Sequence, residues 1–450
     1  MNNSASISAS TVDRATLHRA IAASAMGNAT EWFDYGIYAY GVTYISSALF
    51  PGEVGEAVLF ALATFAISFL VRPLGGFFWG SLGDRLGRKS VLALTILLMS
   101  GATLSVGLIP SYDSIGMWAP LILIILRMVQ GFSTGGEYGG AATFMAEYAP
   151  DARRGFYGSF LEFGTLAGFS LGAALMLTFS LLLGDETMHA WGWRIPFLIA
   201  APMGLIGMYL RARMEDTPVF RARVAASESK PSPGLIVLFR QHWRPMLVVG
   251  GLVIALNVVN YTLLSYMPTY LQRRIGLSPD EALTVPLVGM LFMMLFLPFA
   301  GRLSDRVGRR PMWRFSLIGL LLLVTPLYML MGTGLAGACI GFILLGLLYV
   351  PQLATISATF PAMFPTSVRF VGFASAYNIS TSIFGGTAPA VSSGLITLTG
   401  NDLMPAYYMM ATCVIGLIAL HFMPETAGRS LYEDPFSQPS FRGEASRLRA

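Results

Sequence analysis

Gly80-Ser-Leu82-Gly-Asp84-Arg85-Leu-Gly87-Arg88-Lys89 returns as Gly301-Arg-Leu303-Ser-Asp305-Arg306-Val-Gly308-Arg309-Arg310, 221 residues later in a chain of 450. Six of the ten positions are identical, and a seventh, Lys89 against Arg310, keeps its charge. The offset is close to half the chain. Fainter echoes recur at comparable offsets: Pro150 then Arg154 against Pro365 then Arg369, and Glu215-Asp-Thr217-Pro218 against Pro424-Glu425-Thr426. A repeat this long means two related halves rather than a solenoid of short units.

Composition says what the halves are made of. Hydrophobic residues make up 54% and charged residues 12%, against about 25% charged in an average soluble protein. With a mean hydropathy of +0.63, a water-soluble enzyme with a large core is excluded. A hydrocarbon span needs roughly 20 residues. Apolar blocks fall at about 20–48, 57–80, 90–110, 118–146, 155–183 and 192–212, then 245–270, 283–301, 312–331, 335–361, 369–398 and 403–423. The expected fold is therefore all-α, with twelve transmembrane helices in two pseudo-symmetric six-helix bundles. Its expected parts are a segment 1–19, a first bundle 20–212, a linker 213–243, a second bundle 244–423 and a tail 424–450. The first residues are Ser-rich without an apolar region before a cleavage site, so no signal peptide is expected.

About two dozen of the 29 Lys and Arg fall in loops on one side, together with the linker and tail. Short loops rich in Lys and Arg stay cytoplasmic, so both termini are expected on the cytoplasmic side of the membrane. This also disposes of the net charge of +5 as a sign of nucleic acid. Cys339 and Cys413 lie in apolar runs and suggest neither a disulfide framework nor a metal site. Met290, Met293 and Met294 read as packing. Gly131-Phe-Ser133-Thr-Gly135 mimics a hydrolase nucleophile motif, and Gly332-Thr-Gly334-Leu-Ala-Gly337 a dinucleotide fingerprint. Both sit in or between apolar spans, without the strand that either chemistry requires.

The repeated G-x-L-x-D-R-x-G-R-[KR] loop resembles the signature of the major facilitator superfamily. Asn28-Ala-Thr-Glu31-Trp32-Phe33-Asp34, Arg72-Pro73-Leu-Gly75-Gly76, Gly135-Gly136-Glu137-Tyr138 and Trp191-Gly192-Trp193-Arg194-Ile-Pro196-Phe197 resemble its metabolite:proton symporter branch. That branch carries ketoglutarate, citrate, shikimate, or proline and betaines. Ile109-Pro110-Ser111-Tyr112-Asp113, Pro361-Ala-Met-Phe364-Pro365-Thr366 and Met404-Pro405-Ala-Tyr407-Tyr408 are most similar to its bacterial proline/betaine transporters. The resemblance implies a secondary transporter working by alternating access, not an enzyme, and without cofactor or metal. It implies symport of a proton with a small carboxylate-bearing solute, preferably proline or glycine betaine. A di- or tricarboxylate:proton symporter is the alternative. A functional monomer is expected, with no osmosensory coiled-coil extension.

Within this frame the charged residues inside spans carry the chemistry. Glu31 and Asp34 lie on adjoining parts of one helical face, which Asn28 begins and Tyr35 and Tyr38 continue. A carboxylate at bilayer depth costs at least ~2.5–3 kcal/mol on insertion scales, and survives by facing a cavity, pairing with a cation or being protonated. Asp34, then Glu31, are the proton-coupling candidates; the alternative is a static pair locking helices through arginines. Arg127 offers a planar fork of donors suited to a carboxylate, with Gln130, Thr134 and Tyr138 following at helical spacing and Glu137 beside them. Its alternative is an internal salt bridge. Quaternary ammonium groups are held by aromatic faces, which points to Trp32, Tyr35, Tyr38, Tyr261 and Tyr377. Asn257 and Gln352 complete the expected lining from spans 7 and 10. The resemblance implies Asp84 and Asp305 as gating carboxylates, with Arg85, Arg88, Arg306 and Arg309 as their basic partners.

Overall fold

In a computed structural model the chain folds into helices joined by short turns; residues 14–86, 88–212, 235–365, 368–431 and 436 are described. The side chains of Asp84, Arg85 and Arg88, and the part of the linker at 213–234, lie outside the described residues. Among the described residues there is no strand.

Grouped across their breaks, the helices trace twelve passes. The first half runs Arg14–Tyr40 with Val42–Leu49, then Val54–Leu86, Arg88–Gly107, Trp118–Thr134 with Glu137–Tyr148, Arg154–Leu183 and Ile195–Ala212. The second runs Leu235–Tyr261 continuing to Ile275, then Pro279–Val307, Arg309–Met331, Leu335–Leu353 with Ile356–Thr359, Arg369–Ser380 with Ala388–Thr399, and Met404–His421. Among the described residues, eight of the twelve passes are each long and apolar enough to cross a membrane. All twelve are numbered spans 1 to 12 below.

Both faces of these helices are apolar, but they meet different surroundings. On span 8, Leu291, Leu295 and Phe299 recur every fourth residue and are exposed, as a lipid-facing stripe would be, while Met290, Met293 and Leu297 are buried. Lipid is as apolar as leucine, so close packing, not hydrophobicity, must hold the spans together. Span 5 shows how. A Cβ added at Gly164 or Gly168 would collide with the backbone of Ala25 or Ala29, so span 5 lies directly on span 1.

In the first half, span 1 packs along span 5, span 2 on span 4 and span 3 on span 6. In the second half span 7 packs on span 12, span 8 on span 10, and span 9 on spans 10 and 12. The halves meet where span 5 lies along span 8 and where span 2 meets span 11. These two seams exchange under the duplication, since spans 2 and 5 correspond to spans 8 and 11. The substrate sites of such two-half transporters lie at the midplane between the halves.

Several passes break along their length. Span 1 breaks at Gly41 and span 4 at Gly135-Gly136. Span 7 ends in a π-turn at Leu271–Ile275, and spans 7 and 11 each unwind into one nearer their middle, at Thr262–Tyr266 and Thr381–Gly385. Such π-segments often mark functional positions, and here the latter two follow Tyr261 immediately and Tyr377 within one turn.

Candidate functional site

Span 2 carries Arg72 directly before Pro73. Proline has no N–H, so the carbonyl of Phe69, four residues back, loses its helical partner. Ser382 of span 11 takes that place, its hydroxyl donating to Phe69 O at 2.6 Å. Beside it, Asn378 Nδ2 donates to Gly135 O at 2.8 Å. These bonds between halves sit next to Arg72, and a Cβ at Gly135 would collide with the carbonyl of Arg72. The guanidinium is thereby fixed where the two halves touch.

Arg72 Nη2 donates to Glu31 Oε1 at 2.6 Å, in an ion pair with both side chains buried. Its Nε and Nη1 have no hydrogen-bond partner among the described residues. Around it stands a cage of rings. The guanidinium carbon lies 5.2 Å from the centroid of Phe69 and 5.6 Å from that of Tyr35. Tyr35 packs on Phe69 at 4.9 Å, Phe69 edge-on to Tyr261 at 5.0 Å, and Trp32 reaches Tyr35, Phe169 and Tyr261 at 5.7, 5.3 and 6.0 Å. Tyr35 shares a hydrogen bond with Thr134 at 3.1 Å, while the hydroxyl of Tyr261 has no partner among the described residues. A second contact between halves lies close by, where Tyr138 stacks on Tyr377 at 4.5 Å.

Arg127 belongs to a separate group inside the first bundle. Its Nη1 donates to Gln130 at 2.8 Å and its Nη2 to Ser68 at 3.3 Å, and Gln130 passes a bond of 2.7 Å to Thr103. The guanidinium lies 4.1 Å over the ring of Tyr38, whose hydroxyl donates to Ala61 O at 2.9 Å. Asp34 joins this group: neither carboxylate oxygen has a hydrogen-bond partner among the described residues, and Arg127 and Thr103 are the polar neighbours that act on it. Three residues of helix thus divide Glu31, facing span 2, from Asp34, facing spans 3 and 4.

Most of the residues singled out in the sequence lie in these two clusters. Glu31, Trp32, Tyr35, Tyr261, Tyr138 and Tyr377 gather about Arg72, while Asp34, Tyr38, Arg127 and Gln130 form the second group. Glu137 is buried at the start of the helix after the span 4 break. Asn257 is bonded to Thr381 at 2.8 Å within the second half. Gln352 is not brought to the centre: its amide donates to Ser316 of span 9 at 2.8 Å. Two residues were not put forward from sequence, Arg72 as an anchor and Glu162 in span 5. Each is a charged residue deep within a long apolar run, and that is the signal by which both are found.

At the end of the molecule carrying the repeated loops, Asp305 accepts from the backbone N–H of Gly155 and Phe156 at 2.7 and 2.9 Å, capping span 5 of the other half. Arg309 Nη2 donates to the same carboxylate at 2.7 Å, and Arg306 is exposed. Glu425 caps span 9 through the N–H groups of Arg309 and Arg310 at 2.8 and 3.0 Å.

Two related helical halves around a buried, charged and aromatic midpoint define a secondary transporter of the multi-pass membrane class. The chain belongs to the Major Facilitator Superfamily, whose sequence pattern matches residues 27–375. It is 45% identical over 430 residues to the glycine betaine/proline/ectoine/pipecolic acid transporter OusA of Dickeya dadantii, covering 93% of this chain and 86% of that one. It is 44% identical to the proline/betaine transporter of Escherichia coli over the same shares. The ectoine/proline transporter ProP of Corynebacterium glutamicum is 42% identical, over 92% of this chain and 85% of its own. Among solved structures, the proton:xylose symporter XylE superposes with a TM-score of 0.72 at 19% identity, over 93% of this chain and 98% of that one, a likeness of fold. The bacterial relatives and apolar helices place the chain as a multi-pass inner-membrane protein, a transporter and not an enzyme.

Proposed function

We propose that the chain concentrates small zwitterionic carboxylates of the proline, betaine and ectoine type by symport with protons, through alternating access. One observation carries this reading: a buried arginine inside an aromatic cage, with two donor nitrogens that have no acceptor among the described residues. Leaving a buried charged donor without a partner costs more than 1–3 kcal/mol, and a substrate carboxylate removes that cost. The cage then receives the ammonium end, which ring faces attract. Arg72 is the better anchor than Arg127, whose two terminal nitrogens already have acceptors. The Asp34–Arg127 group is the proton site, with Glu31 answering to substrate through Arg72. Asp305 with Arg309, and Asp84 with Arg85 and Arg88, close the basic-loop end. The proposed topology puts both termini and the linker 213–243 on the cytoplasmic side, between bundles 20–212 and 244–423. All these groups come from one chain, so a monomer suffices.

The energetics are adequate, since one charge crossing 100 mV contributes about 2.3 kcal/mol, or roughly 50-fold accumulation. Purified protein in liposomes should take up labelled glycine betaine and proline uphill when only a pH difference is imposed. Accumulation of ketoglutarate or citrate in their place would overturn the substrate class.

A further inference from the structure

Glu162 lies in the middle of span 5, buried, and among the described residues its hydrogen-bond partners are hydroxyl groups. Tyr138 donates a hydrogen bond to Oε1, and Thr165, one turn on, donates to Oε2 at 3.0 Å. No Lys, Arg or His among the described residues acts on it. A carboxylate held at bilayer depth without a cation is expensive, so its place in the fold calls for a reason.

The two donors lead in different directions. Thr165 Oγ1 accepts from Asn28 Nδ2 at 2.6 Å, and the same amide nitrogen donates to Leu161 O at 2.8 Å, which fixes its orientation. Asn28 Oδ1 then accepts from the indole N–H of Trp32 at 3.1 Å. The first arm therefore ends on a wall of the aromatic cage. The second arm ends on the ring of Tyr138. Each of these rings meets a tyrosine of the opposite half: Trp32 meets Tyr261 at 6.0 Å, and Tyr138 stacks on Tyr377 at 4.5 Å. One side chain of the first half thus orients two aromatic contacts through which the second half closes on the centre.

We infer that Glu162 is a positioning residue which, through Thr165, Asn28 and Trp32 on one side and Tyr138 on the other, sets the aromatic cage for the cationic end of the substrate. The inference rests on the substrate reading above. Cation–π attraction depends on where the ring face points, whereas a hydrogen bond from a secondary ammonium finds other acceptors. Loss of the Glu162 arms therefore weakens quaternary substrates more than proline.

The test compares Glu162→Ala, Thr165→Val and Tyr138→Phe with the unsubstituted protein in liposomes, with glycine betaine and proline as probes. Glu162→Ala should raise KM for glycine betaine roughly tenfold, raise KM for proline less, and change the maximal rate per folded protein little. Thr165→Val cuts only the Trp32 arm and should reproduce most of the shift, and it decides the matter if the alanine variant does not fold. Acrylamide quenching of the Trp32 fluorescence, isolated by difference from Trp32→Phe, should increase in Glu162→Ala and Thr165→Val but not in Tyr138→Phe. Equal loss for both substrates with unchanged quenching would overturn the inference and leave Glu162 a packing residue. If the unsubstituted protein transports neither probe, the substrate reading fails, and quenching, which needs no substrate, decides Glu162 by itself.

Discussion

Arg154 and Arg369 are one residue written twice. Each opens a span, 5 and 11 respectively, each side chain is almost fully buried, and each Nε donates at 3.2 Å to a carbonyl eight residues earlier, Ala146 O and Pro361 O. Each then reaches an acid of the first half, Arg154 to Asp151 and Arg369 to Glu147. Each also grips the chain that follows span 12, at Arg429 O and Leu431 O. The tail is thus held by both halves, across the seam that must part if this end opens.

Equivalent places predict equivalent effects. Arg154→Lys and Arg369→Lys keep the charge but lose the planar fork, leaving buried carbonyls without a donor at ~1–3 kcal/mol each. A cysteine at Ser357, which is buried beneath this end, is the reporter in protein lacking Cys339 and Cys413. Both variants should label several times faster than the parent, and by similar factors. An effect of Arg369→Lys alone would mean that only one half carries the clasp.

Asp305 tests the gate from the other seam. It caps span 5 and holds Arg309, so Asp305→Ala removes an N-cap worth about 1 kcal/mol together with an ion pair. The Ser357 reporter should label roughly fivefold faster, on the scale of that cap. Asp305→Asn retains an acceptor oxygen, loses only the charge favoured by the helix dipole, and should lie between. Labelling unchanged in both variants would reduce the repeated loop to a marker of topology.

Arg72 and Arg127 are separated by their substitutions. Arg72→Lys loses the fork aimed into the cage and should raise KM for glycine betaine by roughly 10- to 100-fold, the range for a hydrogen bond to a charged group. Arg127→Gln should leave substrate affinity nearer to normal and lower pH-driven accumulation. Reversed results would return the carboxylate to Arg127.

The sequence shows the twelve spans, the duplication and most cage residues, because length, loop charge and repeated residues do not depend on how the spans pack. It does not show which face of each span looks inward. In water, polarity marks the outside of a helix; in lipid both sides are apolar, and the phase is set by contacts such as Gly164 and Gly168 on span 1. Gln352 is instructive. Its helical phase admits the centre, but Ser316 on span 9 offers its hydroxyl on the other side. Arg72 is visible in the sequence only as part of a motif. Its role emerges from Pro73 and Ser382, which bring the two halves together at that turn.

The coupling itself turns on Asp34. Glu31 has a cation in Arg72, but the two oxygens of Asp34 have no hydrogen-bond partner among the described residues, and Arg127 beside it is bonded to Gln130 and Ser68. Such a carboxylate gains from taking a proton, and returns it when Arg127 is freed to meet it. Asp34→Asn fixes the protonated form. It should abolish uphill uptake driven by a pH difference while preserving exchange of internal for external substrate, which requires no net proton release. Glu31→Gln should instead weaken binding, because it keeps an acceptor oxygen for Arg72 Nη2 but removes the charge that holds and orients the fork. The readout is the ratio of driven uptake to exchange in the same liposomes, which normalises for the amount of folded protein. If Asp34→Asn still concentrates substrate on a pH difference alone, Asp34 is not the proton carrier, and Glu31 takes its place in the mechanism.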